Sequence, residues 1–325
     1  MSRKVQCTLC PRSCMLDIGE RGNCRVRENR DGKLKSLVYG KPCAVHVDPI
    51  EKKPLFHVFP GSRSFSIATA GCNLHCKFCQ NWEISQRSPE ETRNFDLPPE
   101  AVVQQAIKND CRTIAYTYSE PIVFYEYVMD SSSIAHKKGI KNVLVTAGYI
   151  NEVPLRALCR VVDAANVDLK SFEDSYYRNI CQGTLKPVLD GLSVMKEEGV
   201  FIELTTLIVP TLNDNMNVLR EMSVWIRNNL GADTPLHFSR FYPMYKLKNL
   251  PLTPVDTLVN ARKTAMDAGL HYVYVGNVPR SAGEDTICPG CGKTVISRIG
   301  YFVRENAVKN GKCLYCKHAI SGIWM

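Results

Sequence analysis

The sequence of 325 residues contains no run of 18 or more apolar residues, and no apolar stretch follows its basic start, Met1–Lys4. These absences argue against a transmembrane helix and against a secretory signal. Internal repeats and low-complexity tracts are also missing, and 22% charged residues is not the composition of a disordered chain. We therefore expect a globular, cytoplasmic protein of about two domains with no membrane partner.

Cysteine, in contrast, is abundant, with 15 residues. In a reducing compartment this number indicates metal or redox chemistry rather than a disulfide framework. Eleven of the 15 fall into three groups, within residues 7–24, 72–79 and 288–316. The scattered ones are Cys43, Cys111, Cys159 and Cys181, of which Cys111 and Cys159 are interpreted as buried core residues.

The formal net charge of +9 follows the same division. Residues 1–61 carry 12 Lys and Arg against 6 Asp and Glu, and residues 288–325 carry 6 against 1, whereas the region between them carries 23 against 25. The basicity therefore lies beside cysteine groups whose metal-bound thiolates would offset it. Because neither end has interleaved aromatics or a long recognition helix, a nucleic-acid partner is not favoured.

Between residues 62 and 279, short segments rich in β-branched residues alternate with amphipathic stretches. This alternation predicts βαβ units and a parallel sheet, with functional residues at the carboxyl ends of the strands. Six units predict a partial (βα)6 barrel of the TIM type, with an open doubly wound sheet as the alternative and Tyr272–Val275 as a late edge strand. The predicted strands are 64–71, 113–118, 142–148, 165–170, 201–209 and 236–241, and the predicted helices are 101–108, 121–138, 152–162, 186–198 and 213–229.

The central group, Cys72-Asn-Leu-His-Cys76-Lys-Phe-Cys79, directly follows the first predicted strand. Three thiolates hold a [4Fe–4S] cluster and leave one iron without a protein ligand, so that this iron can bind a substrate or cofactor. Two alternatives bring in another ligand: Cys43 would close the cluster, and His75 or His57 would complete a zinc knuckle.

The C-terminal group consists of two C-x2-C knuckles, Cys288/Cys291 and Cys313/Cys316, separated by 21 residues. This is the spacing of a zinc ribbon, in which four thiolates hold one tetrahedral ion. A rubredoxin-type iron site has the same ligand geometry, and zinc is favoured because structural sites of four cysteines are most often zinc sites.

The N-terminal group, Cys7-Thr-Leu-Cys10-Pro-Arg-Ser-Cys14 with Cys24, is less regular. It suits a structural zinc, which we slightly favour, or an auxiliary iron–sulfur cluster. Residues 48–61 then form a linker with three prolines, in which Lys52, Lys53 and His57 either reach the cluster or lie in a solvated turn, the interpretation we favour. The chain thus divides into a Cys-rich segment with linker (1–61), a barrel (62–280) and a C-terminal ribbon (281–325).

The stretch Thr69-Ala-Gly-Cys72-Asn-Leu-His-Cys76-Lys-Phe-Cys79-Gln-Asn81 resembles the signature of radical S-adenosylmethionine (SAM) enzymes. That family has a partial six-unit βα barrel. The resemblance implies that SAM binds the open iron and is reductively cleaved to a 5′-deoxyadenosyl radical, which abstracts hydrogen from a substrate. It also implies an external one-electron donor such as flavodoxin or ferredoxin.

The resemblance further implies which residues contact SAM. Tyr118-Ser-Glu120-Pro121 stands where the family has Gly-Gly-Glu-Pro, whose acid meets the SAM amino group, and Thr146-Ala-Gly148 resembles its Thr-Asn-Gly element. Asp168-Leu-Lys170 is similar to the strand end of pyruvate formate-lyase activating enzymes, where the lysine meets the SAM carboxylate. Those enzymes carry an acid where this chain has Val145, so a cation site there is not expected.

His237 on the sixth strand is a further candidate, near the SAM ribose or the substrate, with Arg240 as a rival for the same pocket. A strand histidine is as often a core residue with satisfied hydrogen bonds, and that alternative has equal weight.

Over essentially the full chain, the layout is similar to the AmmeMemoRadiSam branch of radical SAM proteins. This similarity implies an association with Ammecr- and Memo-type proteins and a relation to pyruvate formate-lyase activating enzymes. We therefore expect a radical SAM oxidoreductase. Its target is a glycine of a glycyl radical enzyme, or a small molecule or other protein residue; the alternative from another class is a non-catalytic metal-ribbon adaptor.

Overall fold

The computed structural model describes residues 4–278 and 283–324. Two antiparallel hairpins carry the N-terminal cysteines on their loops and flanks. They are β1 (Val5–Gln6) with β2 (Met15–Leu16), and β3 (Arg27–Arg30) with β4 (Lys33–Ser36).

The main sheet has eight strands whose spatial order is their order in the chain, from β5 at one edge to β12 at the other. They are β5 (Ala44–Pro49), β6 (Arg63–Ala68), β7 (Thr113–Tyr116), β8 (Lys141–Thr146), β9 (Ala164–Asp168), β10 (Phe201–Ile208), β11 (Leu236–Arg240) and β12 (Val273–Gly276). Strands β6 to β12 are parallel, and β5 pairs antiparallel with β6. Because a doubly wound sheet reverses its strand order, this consecutive order confirms the partial barrel.

The helices cover the outside of the sheet, and their apolar faces join its core. They are α1 (Trp82–Ser85), α2 (Pro99–Lys108), α3 (Tyr125–Lys137), α4 (Glu152–Cys159), α5 (Asp174–Tyr176), α6 (Lys186–Glu197), α7 (Met216–Asn229) and α8 (Val255–Asp267). None of the helices in the described residues has the length and apolar character needed to cross a bilayer.

The predicted start of α7 is wrong by a few residues. Asn215, and not Asn213 or Asp214, caps this helix, since its side chain accepts from the Asn217 amide at 2.9 Å. The buried side chain of Asn213 instead accepts from the Val209 amide at 2.7 Å and donates to the backbone beneath the site. A polar residue that caps a helix and one that closes a loop look alike in a sequence.

Residues 48–61 are not a solvated linker, so that interpretation of Lys53 and His57 is wrong. They continue from β5 into a 3-10 turn, Ile50–Lys52, and then pack under the barrel. Lys53 and His57 are 1% and 0% exposed, while Lys52 keeps 44% of its side chain in solvent. The segment thus forms part of the barrel wall and floor.

The C-terminal ribbon packs on that floor. Its strands are β13 (Thr286–Ile287), β14 (Thr294–Ile299), β15 (Phe302–Asn306), β16 (Val308–Lys309) and β17 (Lys312–Cys313). The Arg298 guanidinium donates to the Phe56 carbonyl at 2.7 Å, and the Phe59 amide donates to the Ile323 carbonyl at 2.8 Å. The predicted boundary at residues 280–281 lies outside the described residues.

Candidate active site

The loop Cys72–Cys79, here called the cluster loop, follows the end of β6 and is held by backbone hydrogen bonds. The His75 and Lys77 amides donate to the carbonyls of Cys181 and Ile180 at 2.9 and 3.0 Å. The backbone that carries the three thiols is therefore anchored to the helical turn after α5.

The thiols of Cys72, Cys76 and Cys79 line one cavity at the carboxyl ends of the strands. The Leu74 amide donates to Cys72 Sγ at 3.4 Å, and the Ser85 hydroxyl lies 3.1 Å from Cys79 Sγ. Hydrogen bonds to sulfur stabilise thiolate ligands and tune an iron–sulfur cluster. The donor set therefore fits a [4Fe–4S] cluster held by three cysteines.

The alternative fourth ligands are placed elsewhere. Cys43 does not line this cavity. His75 has its ring nitrogens 2.7 Å from Gln86 Oε1 and 2.6 Å from Asn23 Oδ1. Both ring nitrogens of His57 are engaged at 2.6 Å in the barrel floor. None of these three side chains is therefore placed as a fourth ligand beside the three thiols.

The cavity has a volume of about 1820 Å³ with its open mouth included. Because the parallel strands end on the side of this opening, residues near or just beyond their carboxyl ends meet there. The structure brings together all five predicted SAM contacts and the three cysteines: Glu120, Thr146, Asp168, Lys170, His237, Cys72, Cys76 and Cys79.

Glu120 is buried and hydrogen-bonded at both carboxylate oxygens. Oε1 accepts from the Thr146 hydroxyl at 2.5 Å and from the Ile122 amide at 3.2 Å, and Oε2 accepts from the Ala147 amide at 2.9 Å. Burial nevertheless raises the pKa of this carboxyl. A carboxylate has about four acceptor positions, so roughly one is left for a cationic ligand in the cavity.

Lys170 presents a charged ammonium to the same cavity. Burial opposes this charge, but Asp168 and the Cys76 thiolate outweigh it and hold the pKa of Lys170 well above its usual value. Its Nζ lies 2.9 Å from Asp168 Oδ2. Because an ammonium has three donors, Lys170 can also bind an anionic ligand.

His237 faces the cavity, but its ring is already engaged. Its Nε2 lies 2.7 Å from Glu203 Oε2, and its ring packs edge-on against Phe56. Arg240 lies apart from the cavity lining and donates from Nε to the Thr253 carbonyl at 2.7 Å.

Sequence reasoning missed Glu203, which lies at the centre of the barrel floor and is 0% exposed. Its carboxylate accepts from the amides of Phe56 and His57 at 3.0 and 2.8 Å. The available signal was an acid in the otherwise apolar start of β10, Phe201-Ile-Glu-Leu.

Lys52 and Lys53 line the cavity, which agrees with the alternative that they reach the cluster and not with the favoured solvated turn. Lys53 Nζ lies 2.6 Å from Asp48 Oδ2 and 4.1 Å from the centre of the Tyr118 ring. Burial lowers the pKa of Lys53 to about 8, against the opposing effect of Asp48. The wall thus offers a cation, held by a carboxylate and an aromatic ring, to whatever occupies the cavity.

The four ribbon thiols converge on one point. The sulfurs of Cys288 and Cys316 are 3.6 Å apart, those of Cys291 and Cys313 are 3.9 Å apart, and all four lie within 4.8 Å of one another. Zinc–sulfur bonds of about 2.3 Å in a tetrahedron put sulfurs roughly 3.8 Å apart. The ribbon can therefore hold a single metal ion.

The four N-terminal cysteines line a separate chamber behind the cluster loop, with a volume of about 360 Å³ that includes its open mouth. Cys7 and Cys24 are buried, and Cys10 and Cys14 are half-buried. Cys7 and Cys14 close the β1–β2 hairpin, since the Cys7 amide donates to the Cys14 carbonyl at 2.9 Å.

Residues 66–222 match the sequence model of the radical SAM superfamily, and they carry the cluster loop and the predicted SAM contacts up to Lys170. Residues 66–222 are a radical SAM superfamily domain. Such a domain implies a [4Fe–4S] cluster and SAM as cofactors, which agrees with the donor set of the cavity.

Two proteins of similar sequence and one solved structure of similar fold can be compared with this chain. An uncharacterized protein of Methanocaldococcus jannaschii is 49% identical over 319 residues, which span 98% of this chain and 95% of that protein. The pyruvate formate-lyase-activating enzyme of Clostridium pasteurianum is 25% identical over 179 residues, 52% of this chain and 71% of that enzyme. The crystal structure of a radical SAM methyltransferase from Sphaerobacter thermophilus superposes with a TM-score of 0.54 at 16% identity, over 73% of this chain and 71% of that one, which shows a shared fold.

Proposed function

We propose that this protein reductively cleaves SAM at a [4Fe–4S] cluster on Cys72, Cys76 and Cys79 and uses the resulting radical to abstract hydrogen from a substrate. The observation that carries the proposal is the convergence of these thiols with Glu120 and Lys170 in one cavity. When bound, the cluster and SAM supply the electron transfer and the radical chemistry. The residues of the chain bind, orient and enclose them.

Glu120 is suited to hold the SAM amino group. Its carboxylate is fixed by Thr146 and by two backbone amides, so it cannot turn away from the cavity. An ammonium on the remaining acceptor position would stabilise the ionised form that burial disfavours. The amino group of SAM would therefore supply the positive charge that the buried Glu120 carboxylate needs as a partner.

Lys170 is suited to hold the SAM carboxylate. Asp168 orients its Nζ from one side, and the aromatic face of Phe78 lies 5.6 Å from it on another. A charge-assisted hydrogen bond to a carboxylate would use a donor that Asp168 leaves available. Glu120 and Lys170 would then grip the two charged ends of one amino acid group.

The substrate would meet the wall that contains Lys52 and Lys53. The first version of the proposal is an activase that abstracts hydrogen from a glycine of a glycyl radical enzyme, and the similarity to a pyruvate formate-lyase-activating enzyme supports it. The second version acts on a small molecule or another protein residue, in concert with Ammecr- and Memo-type proteins. Both need a one-electron donor such as flavodoxin or ferredoxin, and in both the ribbon holds zinc.

The test is anaerobic reconstitution with iron and sulfide, followed by dithionite and SAM. We expect 5′-deoxyadenosine from the wild type and none from Cys76→Ala, with the zinc content unchanged in the variant. Cys159→Ala, which removes a buried thiol on α4, is the matched control and should keep the activity. An intact cluster by EPR without 5′-deoxyadenosine would contradict the proposal and favour the non-catalytic adaptor.

The two versions differ in what the radical produces. With a glycyl radical enzyme as partner, an activase gives a protein-based glycyl radical that EPR detects. If 5′-deoxyadenosine forms but no glycyl radical appears, the second version is favoured.

A further inference from the structure

The N-terminal chamber has the features of a second metal site. We infer that Cys7, Cys10, Cys14 and Cys24 hold a [4Fe–4S] cluster that is closed by four protein ligands and lies directly behind the cluster loop. The alternative, which the sequence slightly favoured, is one structural zinc.

The spacing of the thiols separates these two sites. Three or more potential metal ligands lie within 4.8 Å of one another at only one place in residues 4–278 and 283–324. That place is the group of four ribbon cysteines. The N-terminal thiols do not meet this spacing, and neither do the thiols of the cluster loop. A single zinc needs sulfurs roughly 3.8 Å apart, whereas a cubane of four irons and four sulfides holds its ligands farther apart.

The N-terminal thiols open onto one shared chamber. It has a volume of about 360 Å³ with its open mouth included and is bordered by Ile122 and Val123 on its apolar side. A Cβ on Gly22 would lie 3.7 Å from Cys14 Sγ and 3.8 Å from Cys24 Sγ, so both sulfurs border the turn at Gly22.

The chamber holds a buried N–H donor without a partner, which the sulfur of an anionic cluster would satisfy. Arg27 borders the chamber and is 7% exposed, and its Nε has no hydrogen-bond partner although its other nitrogens pair with Glu126 at 2.7 and 2.8 Å. The Asn23 amide donates to Cys14 Sγ at 3.5 Å. A cluster with four thiolates carries a net negative charge, so a buried guanidinium beside it offsets the cost of burial.

The chamber shares a wall with the cluster loop. Asn73, which follows Cys72, borders the chamber, and its side-chain amide donates to the Tyr149 carbonyl at 2.8 Å. Arg12 donates to the Asn73 carbonyl at 2.9 Å. A Cβ on Gly71 would lie 2.5 Å from the Cys24 carbonyl, so only glycine allows this approach. The two cysteine groups are thus separated by one layer of backbone.

This adjacency gives the second cluster a role in electron transfer. A cluster with four protein ligands has no open iron for SAM, so it can only accept and release an electron. One electron from an external flavodoxin- or ferredoxin-type donor would reduce it from the 2+ to the 1+ state, and its reoxidation would reduce the cluster of Cys72–Cys79 by one electron. The relay rests on the proposed function, whereas the assignment of the cluster does not.

Metal analysis of anaerobically purified wild-type protein tests the assignment without a mutation. We expect about eight irons and one zinc per chain. About four irons and two zincs would overturn the inference, since the N-terminal thiols would then hold zinc.

A triple variant, Cys72→Ala/Cys76→Ala/Cys79→Ala, provides a second readout. We expect it to keep about four irons and, on reduction with dithionite, a [4Fe–4S]⁺ EPR signal that added SAM does not change. Loss of all iron from this variant would overturn the inference. Conversely, Cys14→Ser should weaken the EPR signal that SAM does not change and keep the signal that SAM changes. Cys111→Ala is the control. A wild-type protein without any SAM-sensitive signal would contradict the proposed function but not the second cluster.

Discussion

The Cys181 carbonyl accepts from the His75 amide at 2.9 Å, and the thiol of Cys181 lowers the pKa of the Cys76 thiol. Cys181 is fully buried and ends the π-helical turn Tyr177–Cys181, whose backbone also anchors the cluster loop. A thiol that donates to a ligating thiolate stabilises the added electron of a reduced cluster. Cys181 is therefore placed to set the reduction potential of the cluster on Cys72–Cys79.

The first prediction is that Cys181→Ala keeps the iron of this cluster but makes its reduction potential more negative. A redox titration measures the shift in reduction potential. It is followed by EPR, on the signal that changes when SAM is added. Cys159→Ala should leave the potential unchanged. Loss of about four irons from Cys181→Ala would show instead that Cys181 is a ligand.

The second prediction concerns Glu120. The variant Glu120→Gln keeps the shape and an acceptor for the Ala147 amide but removes the charge. We expect SAM to bind more weakly by about 2 kcal/mol, or roughly 30-fold, because a hydrogen bond to a charged group is lost. Titration of SAM against the EPR signal of the reduced protein gives the affinity, and the exposed Glu100→Gln on α2 is the control. Equal affinities in the two variants would exclude Glu120 from SAM binding.

The third prediction concerns pH and His57. Burial lowers the pKa of His57 to about 4, from 6.5 in the unfolded chain. Between these values the unfolded chain binds a proton that the folded chain does not, so stability falls as the pH drops from 6.5 to 4 and is unaffected by this group above 6.5. The full effect is roughly 3 kcal/mol.

Urea denaturation at several pH values between 7.5 and 4 measures this loss. The variant His57→Gln should be less stable at neutral pH but should lose less stability on acidification. The same dependence on pH in both proteins would mean that His57 binds its proton in the folded state.

The fourth prediction concerns the ribbon metal. Cys291→Ser removes one of four ligands, so we expect the loss of one zinc per chain and faster hydrogen exchange in residues 284–324. The contacts from Arg298 and Ser321 to the barrel floor should weaken at the same time. The EPR signals of the iron–sulfur clusters should persist, and their loss would show that the ribbon supports the active site as well as the floor.

The sequence predicted those parts of the fold and site that depend on local patterns. The strands of the barrel, the cluster loop and the ribbon knuckles are each defined within a few residues, by alternating composition or by cysteine spacing. Glu120, Thr146 and Lys170 are named by the resemblance to radical SAM enzymes, and their place in one cavity agrees with parallel strands that end on the same side.

Other features depend on contacts between distant residues. His57 is buried because its amide meets Glu203, 146 positions away, and its neighbours looked like a proline-containing turn. Cys181 lies far from the cluster loop in the chain and belongs to no spacing pattern. Lys53 is held in the wall by Tyr118, from another strand end. No local pattern distinguishes these three residues from solvated or ordinary core positions.

The contact between the His57 ring and the Ser321 carbonyl joins two parts of the chain 264 positions apart. At a synthesis rate of roughly 5–20 residues per second, the segment around His57 waits about 10 to 50 s for its partner to be made. During that time the underside of the barrel is unfinished and its apolar strand ends are uncovered. The nascent chain, rather than the finished protein, is then the species most exposed to aggregation during expression.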